Sequence, residues 1–240
     1  MLPQAIPITP SAKIHGSNYG YEEYKEKTEQ VSPITNYLQD KGAWADKYLS
    51  PVLRTKDWDL ITNELGKEGH TNIFQTEFFT KAFGEEIIAL AEKSGLWTQK
   101  RHEFYPTTDM LLDTIGMNDI YEAVLKEYIY PWAIHLWELE GKTWNALYGE
   151  SFLIKYNTNK QAHLALHHDY SIFTTLVTLN NDFEGGGTYF KKQKICVNPS
   201  VGTVCLHPGN ITHKHGARPI TSGTRYVIVS FIRSKEPYAE

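Results

Sequence analysis

The stretch HHDYSIFTTLVTLNNDFEGGGTYF, residues 167–190, decides how this chain is read. It opens on the triplet His167-His168-Asp169 and runs into the β-rich segment IFTTLVTL (172–179). It then breaks at Asn180-Asn181-Asp182 and turns on Gly185-Gly186-Gly187 before a second β-rich piece. Residues two apart on an extended backbone point the same way, so His167 and Asp169 share a face while His168 points to the other. An imidazole and a carboxylate so placed are two of the three donors of a facial 2-His-1-carboxylate iron site, which leaves open positions for oxygen chemistry. A lone His-x-Asp triplet is common by chance, so its surroundings must carry the reading.

Downstream, His213-Lys214-His215 supplies a third donor from a separate segment. His213 and His215 share a face, and His207, just before Pro208-Gly209, is a further histidine able to reach inward. Spacing does not choose among them. Arg225 opens the apolar run RYVIVSFI (225–232), where an unpaired guanidinium is costly to bury. Its fork of donors suits a carboxylate held at two points, such as the far end of 2-oxoglutarate. Tyr156 closes the strand-like SFLIKY (151–156) and is placed to offer its hydroxyl to the same carboxylate.

Around these residues the second half of the chain is a series of short β-rich pieces: 151–156, 172–179, 187–190, 194–197, 202–207 and 225–232. Turn chemistry separates them, including Asn157-Thr158-Asn159, Asn198-Pro199 and Ser222-Gly223. Frequent short strands without intervening helices predict a sandwich or barrel, not βαβ units. The first half is helical in pattern. Thr76 to Leu96 carries Phe78, Phe79, Ala82, Phe83, Ile87, Leu90 and Ala91 at helical spacing, with Gly95 as C-cap. Asp119 to Glu138 carries a second such stripe, which Pro131 should kink or divide. Shorter helices are expected over Tyr21–Gln30, from Ser32-Pro33, and over Ala43–Tyr48. The expected class is α+β, a jelly roll of cupin-like type buttressed by N-terminal helices. The expected parts are a partly extended arm over 1–42 and one domain over 43–240, helical in 43–145 with its β core in 146–233.

Composition narrows the class of function. Hydrophobic residues make up 41% and charged residues 22% of the 240, ordinary for a globular protein. A net charge of −4 without a dense Lys/Arg block argues against nucleic acid as partner. The start of the chain lacks the basic, then apolar, pattern of a signal peptide, and no run is long and apolar enough for a membrane span. The expectation is a cytoplasmic protein. The two cysteines, Cys196 and Cys205, form no zinc-type array and are expected to be buried free thiols.

The run 167–190, together with LHPGNITHKHGARPITSGTRYVIVSF (206–231), resembles the catalytic domain of procollagen lysyl hydroxylases, a 2-oxoglutarate and Fe(II)-dependent family. The similarity extends upstream through WADKYLSPVL, FFTKAFGEEIIALAEKSGLW, RHEFYPTTDMLLDTIGMNDIY and FLIKYNTNKQAHLALHHD, covering about residues 44–233. The resemblance implies a double-stranded β-helix, His167, Asp169 and His215 as iron ligands, and Arg225 as the 2-oxoglutarate anchor. It also implies C5 hydroxylation of peptidyl lysine in collagen-like sequences, with ascorbate as a further requirement, and a homodimer, for which Ile211 is the contact to inspect. The alternative is a related oxygenase acting on prolyl residues or a small molecule. For a lysine ammonium, Asp182 and Glu184 are the acidic candidates at the rim. The chain departs from the family at Thr188 and Ile195, where the family has cysteines, and at Leu176, where it has an asparagine.

Overall fold

A computed structural model describes residues 32–66, 70–102, 104–139 and 146–235. The helix expected over Tyr21–Gln30, and the arm as far as residue 31, lie outside the described residues. Of the remainder of that arm, Ile34 and Tyr37 are buried, and the Trp44 indole donates to the Ile34 carbonyl at 2.8 Å.

The helical elements are α1 (Lys41–Tyr48), α2 (Pro51–Arg54), α3 (Trp58–Ile61), α4 (Lys81–Ser94), α5 (Asn118–Val124) and α6 (Tyr130–Trp137). The strands are β1 (Asn63–Glu64), β2 (Phe74–Glu77), β3 (Asp109–Leu111), β4 (Leu147–Asn157), β5 (Phe173–Thr178) and β6 (Phe183–Gly185). They continue with β7 (Thr188–Phe190), β8 (Ile195–Val197), β9 (Thr203–Pro208), β10 (His215–Ala217) and β11 (Ile220–Ser234). A large antiparallel sheet runs β1-β2-β9-β5-β11-β4-β3, with β6 paired to the start of β11, and a smaller one runs β10-β7-β8. This is the expected jelly roll, with the helices packed on the outer face of the large sheet.

Strand parity explains both faces. On β4, Leu153 joins the core shared with the helices, whereas Phe152, Ile154 and Tyr156 face the interior. On β11, Ile228 and Ile232 pack outward against the helices and Val227 and Val229 pack inward. On β5, Phe173 and Val177 go to the helices and Leu176 goes inside. A period of two thus builds an apolar outer face and a mixed inner face from the same strands.

Helix α4 covers the outer face with Phe83, Ile87, Leu90 and Ala91, and Gly95 ends it in the left-handed conformation (φ 67°). Gly84 lets it approach closely: a Cβ there would fall 2.3 Å from the Leu179 carbonyl oxygen. The helix begins at Lys81, not Thr76, because Thr76 and Glu77 are claimed by β2, in register with Val204 and Thr203 of β9. The expected helix over Asp119–Glu138 is a helix with a π-type turn over Leu125–Ile129 between α5 and α6. Pro131 sits in the first turn of α6, where its missing N–H is tolerated, and the widened turn is how the chain absorbs it. Both cysteines are free, but only Cys205 is buried. Cys196 is exposed, since β8 is an edge strand of the small sheet and Cys196 faces outward there. Among the described residues no helix is long and apolar enough to cross a membrane.

Candidate metal centre

The inner face of the jelly roll carries the polar residues. His167 and His215 form an isolated antiparallel bridge, with backbone hydrogen bonds of 2.8 and 2.9 Å in the two directions. Such a pair sets two side chains next to each other, and the two ring centroids lie 4.6 Å apart. Each ring is held by its rear nitrogen. His167 Nδ1 donates to Ala165 O at 2.8 Å and His215 Nδ1 to His213 O at 2.9 Å. A carbonyl can only accept, so Nδ1 of each ring carries a proton and Nε2 is the atom left to bind a metal, or to donate to Asp169 when the ring is charged.

Both Nε2 atoms face Asp169: His167 Nε2 is 3.1 Å from Oδ1 and His215 Nε2 is 3.5 Å from Oδ2. One donor atom from each of the three residues falls within 4.8 Å of the others. Thr174 donates to Asp169 Oδ2 at 2.7 Å, and Ser171 lies 2.9 Å from the Thr174 hydroxyl, which fixes the carboxylate's orientation. Burial works to raise the Asp169 pKa, yet His215, the hydrogen bond from His167 and nearby His207 hold it well below the usual carboxylate range. Burial pulls the His215 imidazole down; at His167 burial pulls the same way, but the hydrogen bond and charge of Asp169, with the Ala165 carbonyl, together outweigh it and raise the ring. Two neutral-capable nitrogens and one committed carboxylate, buried and oriented from behind, could hold a divalent ion with positions left over for other ligands.

The other histidines are excluded by geometry. His213 lies just before β10 and is turned away, with Nδ1 against Thr212 Oγ1 and Nε2 against Thr71 O, both at 2.8 Å. His207 is fully buried and donates from Nδ1 to Pro208 O at 2.8 Å. Its Nε2 is 4.0 Å from Asp169 Oδ2 and outside the three-residue cluster. Burial and His215 push it down to about 3, so it stays uncharged.

A cavity of about 300 Å³ opens over these residues. Tyr156, Phe152, Ile154, Leu164, Leu176, Thr188 and Val229 line it together with His167, Asp169 and His215. Burial pushes the Tyr156 phenol up to about 12, so it remains a hydrogen-bond donor at any working pH. Arg225, in register with Tyr156 across β11 and β4, lies 5.6 Å over its ring. Arg225 is 3% exposed, its Nε has no partner, and among the described residues it makes no ion pair. A buried guanidinium without a protein carboxylate is a cation prepared for a ligand's anion, since left alone it would carry an uncompensated desolvation cost.

Asp182 and Glu184 are not part of this cavity. Asp182 borders a separate depression with Lys81, Glu85 and Tyr226, because the chain leaves β5 at the helix side of the sheet. The wall instead includes Arg101, His102, Phe104, Tyr105 and Thr107, from a segment that no local pattern marks as functional.

Comparison with known proteins agrees with the fold. Residues 148–234 match the family described as the 2OG-Fe(II) oxygenase superfamily. The chain is 31% identical over 212 residues to a procollagen lysyl hydroxylase and glycosyltransferase of Acanthamoeba polyphaga mimivirus, covering 80% of this chain and 23% of that protein. It is likewise 31% identical over 202 residues to human procollagen-lysine,2-oxoglutarate 5-dioxygenase 1, covering 79% and 27%. The chain thus spans about a quarter of the length of the curated relatives it matches. Among solved structures, a Pseudomonas putida prolyl-4-hydroxylase superposes with a TM-score of 0.55 at 14% identity, covering 69% of this chain and 94% of that one. A 2OG-Fe(II) oxygenase family protein from Burkholderia pseudomallei gives 0.50 at 15% identity, covering 73% and 100%. At these identities the superpositions speak for the fold alone.

Proposed function

The chain belongs to the 2OG-Fe(II) oxygenase superfamily, and from that premise we propose that it hydroxylates peptidyl lysine at C5, in collagen-like sequences. The observation that carries the chemistry is Arg225: a guanidinium 3% exposed, without a carboxylate partner among the described residues, over the ring of Tyr156, which lines the cavity of the three converging metal donors. Support for lysine over proline comes from the relatives near 30% identity, whose names specify procollagen lysine.

In this reading His167, Asp169 and His215 hold Fe(II). Fe(II) held there would supply the oxidising power for hydroxylation, with 2-oxoglutarate and O2 consumed, succinate and CO2 released and ascorbate keeping the metal reduced. The chain's own residues do the rest. Arg225 takes the far carboxylate of 2-oxoglutarate in two charge-assisted bonds, and the Tyr156 hydroxyl donates to the same group. Thr174 keeps Asp169 turned toward its two histidines. Phe152, Leu176 and Val229 exclude water from the space where the target carbon must sit, so that oxidation is spent on the substrate. Leu176, lining the wall where the family has an asparagine, makes that wall more apolar. Exposed Ile211, 86% accessible, is the apolar surface residue suited to the expected homodimer contact.

The test is direct. Incubate the protein with Fe(II), ascorbate, 2-oxoglutarate and a lysine-containing collagen-like peptide. A +16 Da product on lysine with matching succinate is expected. Succinate and a +16 Da product only with prolyl peptides would replace the lysyl assignment.

A further inference from the structure

Residues 98–102 and 104–109 wall one side of the cavity and are tied down at many points. Thr98 and Asp109 exchange two backbone hydrogen bonds, each 2.9 Å. Arg101 donates from Nη1 to Asp109 Oδ1 at 2.8 Å and from Nη2 to Glu150 Oε1 at 2.7 Å. Glu150 also accepts from Arg233 at 3.1 Å, and the fully buried Asp109 accepts from the Thr107 hydroxyl. Gln161 accepts from the Thr108 N–H and donates to Pro106 O at 2.9 Å. A segment pinned this way presents its side chains in fixed positions.

The network has a chemical consequence. Arg101 is satisfied by two carboxylates, so the positive charge on the wall is neutralised, and both those carboxylates are committed in turn. Asp169 is then the only acidic residue among the described ones lining the cavity. Among the described residues of the wall, an ammonium entering the cavity finds no free carboxylate. What it finds is His102. The His102 Nε2 is buried without a hydrogen-bond partner and faces Asp109 Oδ2 at 3.6 Å, a placement that favours the proton on Nε2. The ring keeps 27% of its surface accessible and lines the cavity. Its Nδ1 makes no hydrogen bond to a described residue, which leaves that lone pair available on a ring that borders the cavity. Burial, with Arg101 adding to it, lowers the ring's pKa against the pull of Asp109 and so favours the neutral form.

We propose that His102 is the specificity-determining residue for the target side chain: its Nδ1 lone pair accepts a hydrogen bond from the substrate's ammonium group and so sets which carbon lies over His167, Asp169 and His215. This rests on the lysyl reading above. Asp109 orients the ring from behind, and Phe152, 5.4 Å from it, supports its face.

The experiment compares two peptides, one with lysine and one with norleucine at the same position, binding to the whole protein loaded with Mn(II) and 2-oxoglutarate, by calorimetry. Wild type is expected to favour lysine by about tenfold, the worth of one hydrogen bond to a charged group. His102→Phe and His102→Ala, each checked for an unchanged melting temperature, are expected to bring the ratio near one. In turnover assays they should raise the peptide KM for lysine peptides. A ratio that survives both substitutions overturns the proposal. If wild type shows no lysine preference and no +16 Da product on lysine, it is the lysyl reading that fails, and the proposal falls with it.

Discussion

Replacing Arg225 by methionine separates a ligand anchor from a structural ion pair, because the two roles predict opposite effects on stability. Arg225 is 3% exposed and has no carboxylate partner among the described residues, so its removal strands no protein anion. Breaking a buried salt bridge costs about 3–5 kcal/mol, whereas removing a buried cation that lacks a partner is about neutral or stabilising. Methionine keeps most of the aliphatic stem that packs near Gly186 and Tyr156. The melting temperature of Arg225→Met without cosubstrate should therefore stay within a few degrees of wild type or rise. The loss should be in 2-oxoglutarate binding. Two charge-assisted bonds, discounted for the water that replaces them, are together worth about 3 kcal/mol, so the apparent affinity should fall about 100-fold. The metal site should be intact, since none of its three donors touches Arg225. Calorimetric titration of 2-oxoglutarate into Mn(II)-loaded protein, paired with a thermal melt, reads both quantities. A melt lowered by 10 °C or more with unchanged 2-oxoglutarate affinity would refute the reasoning and make Arg225 a structural residue.

Three further outcomes follow from the geometry. Thr174→Val removes the hydroxyl that turns Asp169 and should weaken Mn(II) binding by about 10- to 100-fold with little change in the melt, because the site is oriented from behind. Thiol labelling of the native protein should modify Cys196 alone and reach Cys205 only after denaturation, since burial pushes the Cys205 thiol up to about 12 and keeps it out of reach. Both thiols reacting at equal rates would contradict the placement of β9. Ile87→Ala, at a fully buried contact between α4 and the sheet, should cost about 2–5 kcal/mol in urea denaturation, with the metal affinity of the remaining folded protein unchanged.

Much of this was legible in the sequence because it depends on short-range parity. His-x-Asp on an extended chain puts two donors on one side, and the β-rich second half with its turns does make a jelly roll. Residues 167 and 215 needed more, since it is a backbone bridge between distant segments that sets their rings side by side. His213 shares nominal parity with His215, yet it lies before β10, where alternation does not apply, and it bonds Thr71 instead. The cavity wall was not legible. Arg101 and His102 reach it through the Thr98–Asp109 closure and the pairing of β3 with β4, and neither leaves a periodic trace. Asp182 and Glu184 looked suited to an ammonium by charge alone, but β6 pairs with the start of β11 and Asp182 borders the depression beside α4. The helix boundary at Lys81 failed for a related reason. Phe78 and Phe79 are buried on an extended segment whose N–H groups bond Gly202 O, and their spacing mimicked a helical stripe.

The most direct test of the central claim is an anaerobic titration of Fe(II) into the protein in the presence of 2-oxoglutarate, followed through the visible charge-transfer band of the chelate. The account predicts a band that saturates at one iron per chain in wild type, is absent in Asp169→Ala and His215→Ala, and persists in His213→Ala and His207→Phe. A band that survives loss of Asp169, or that disappears with His213 while His215→Ala retains it, would contradict the assignment of the three donors.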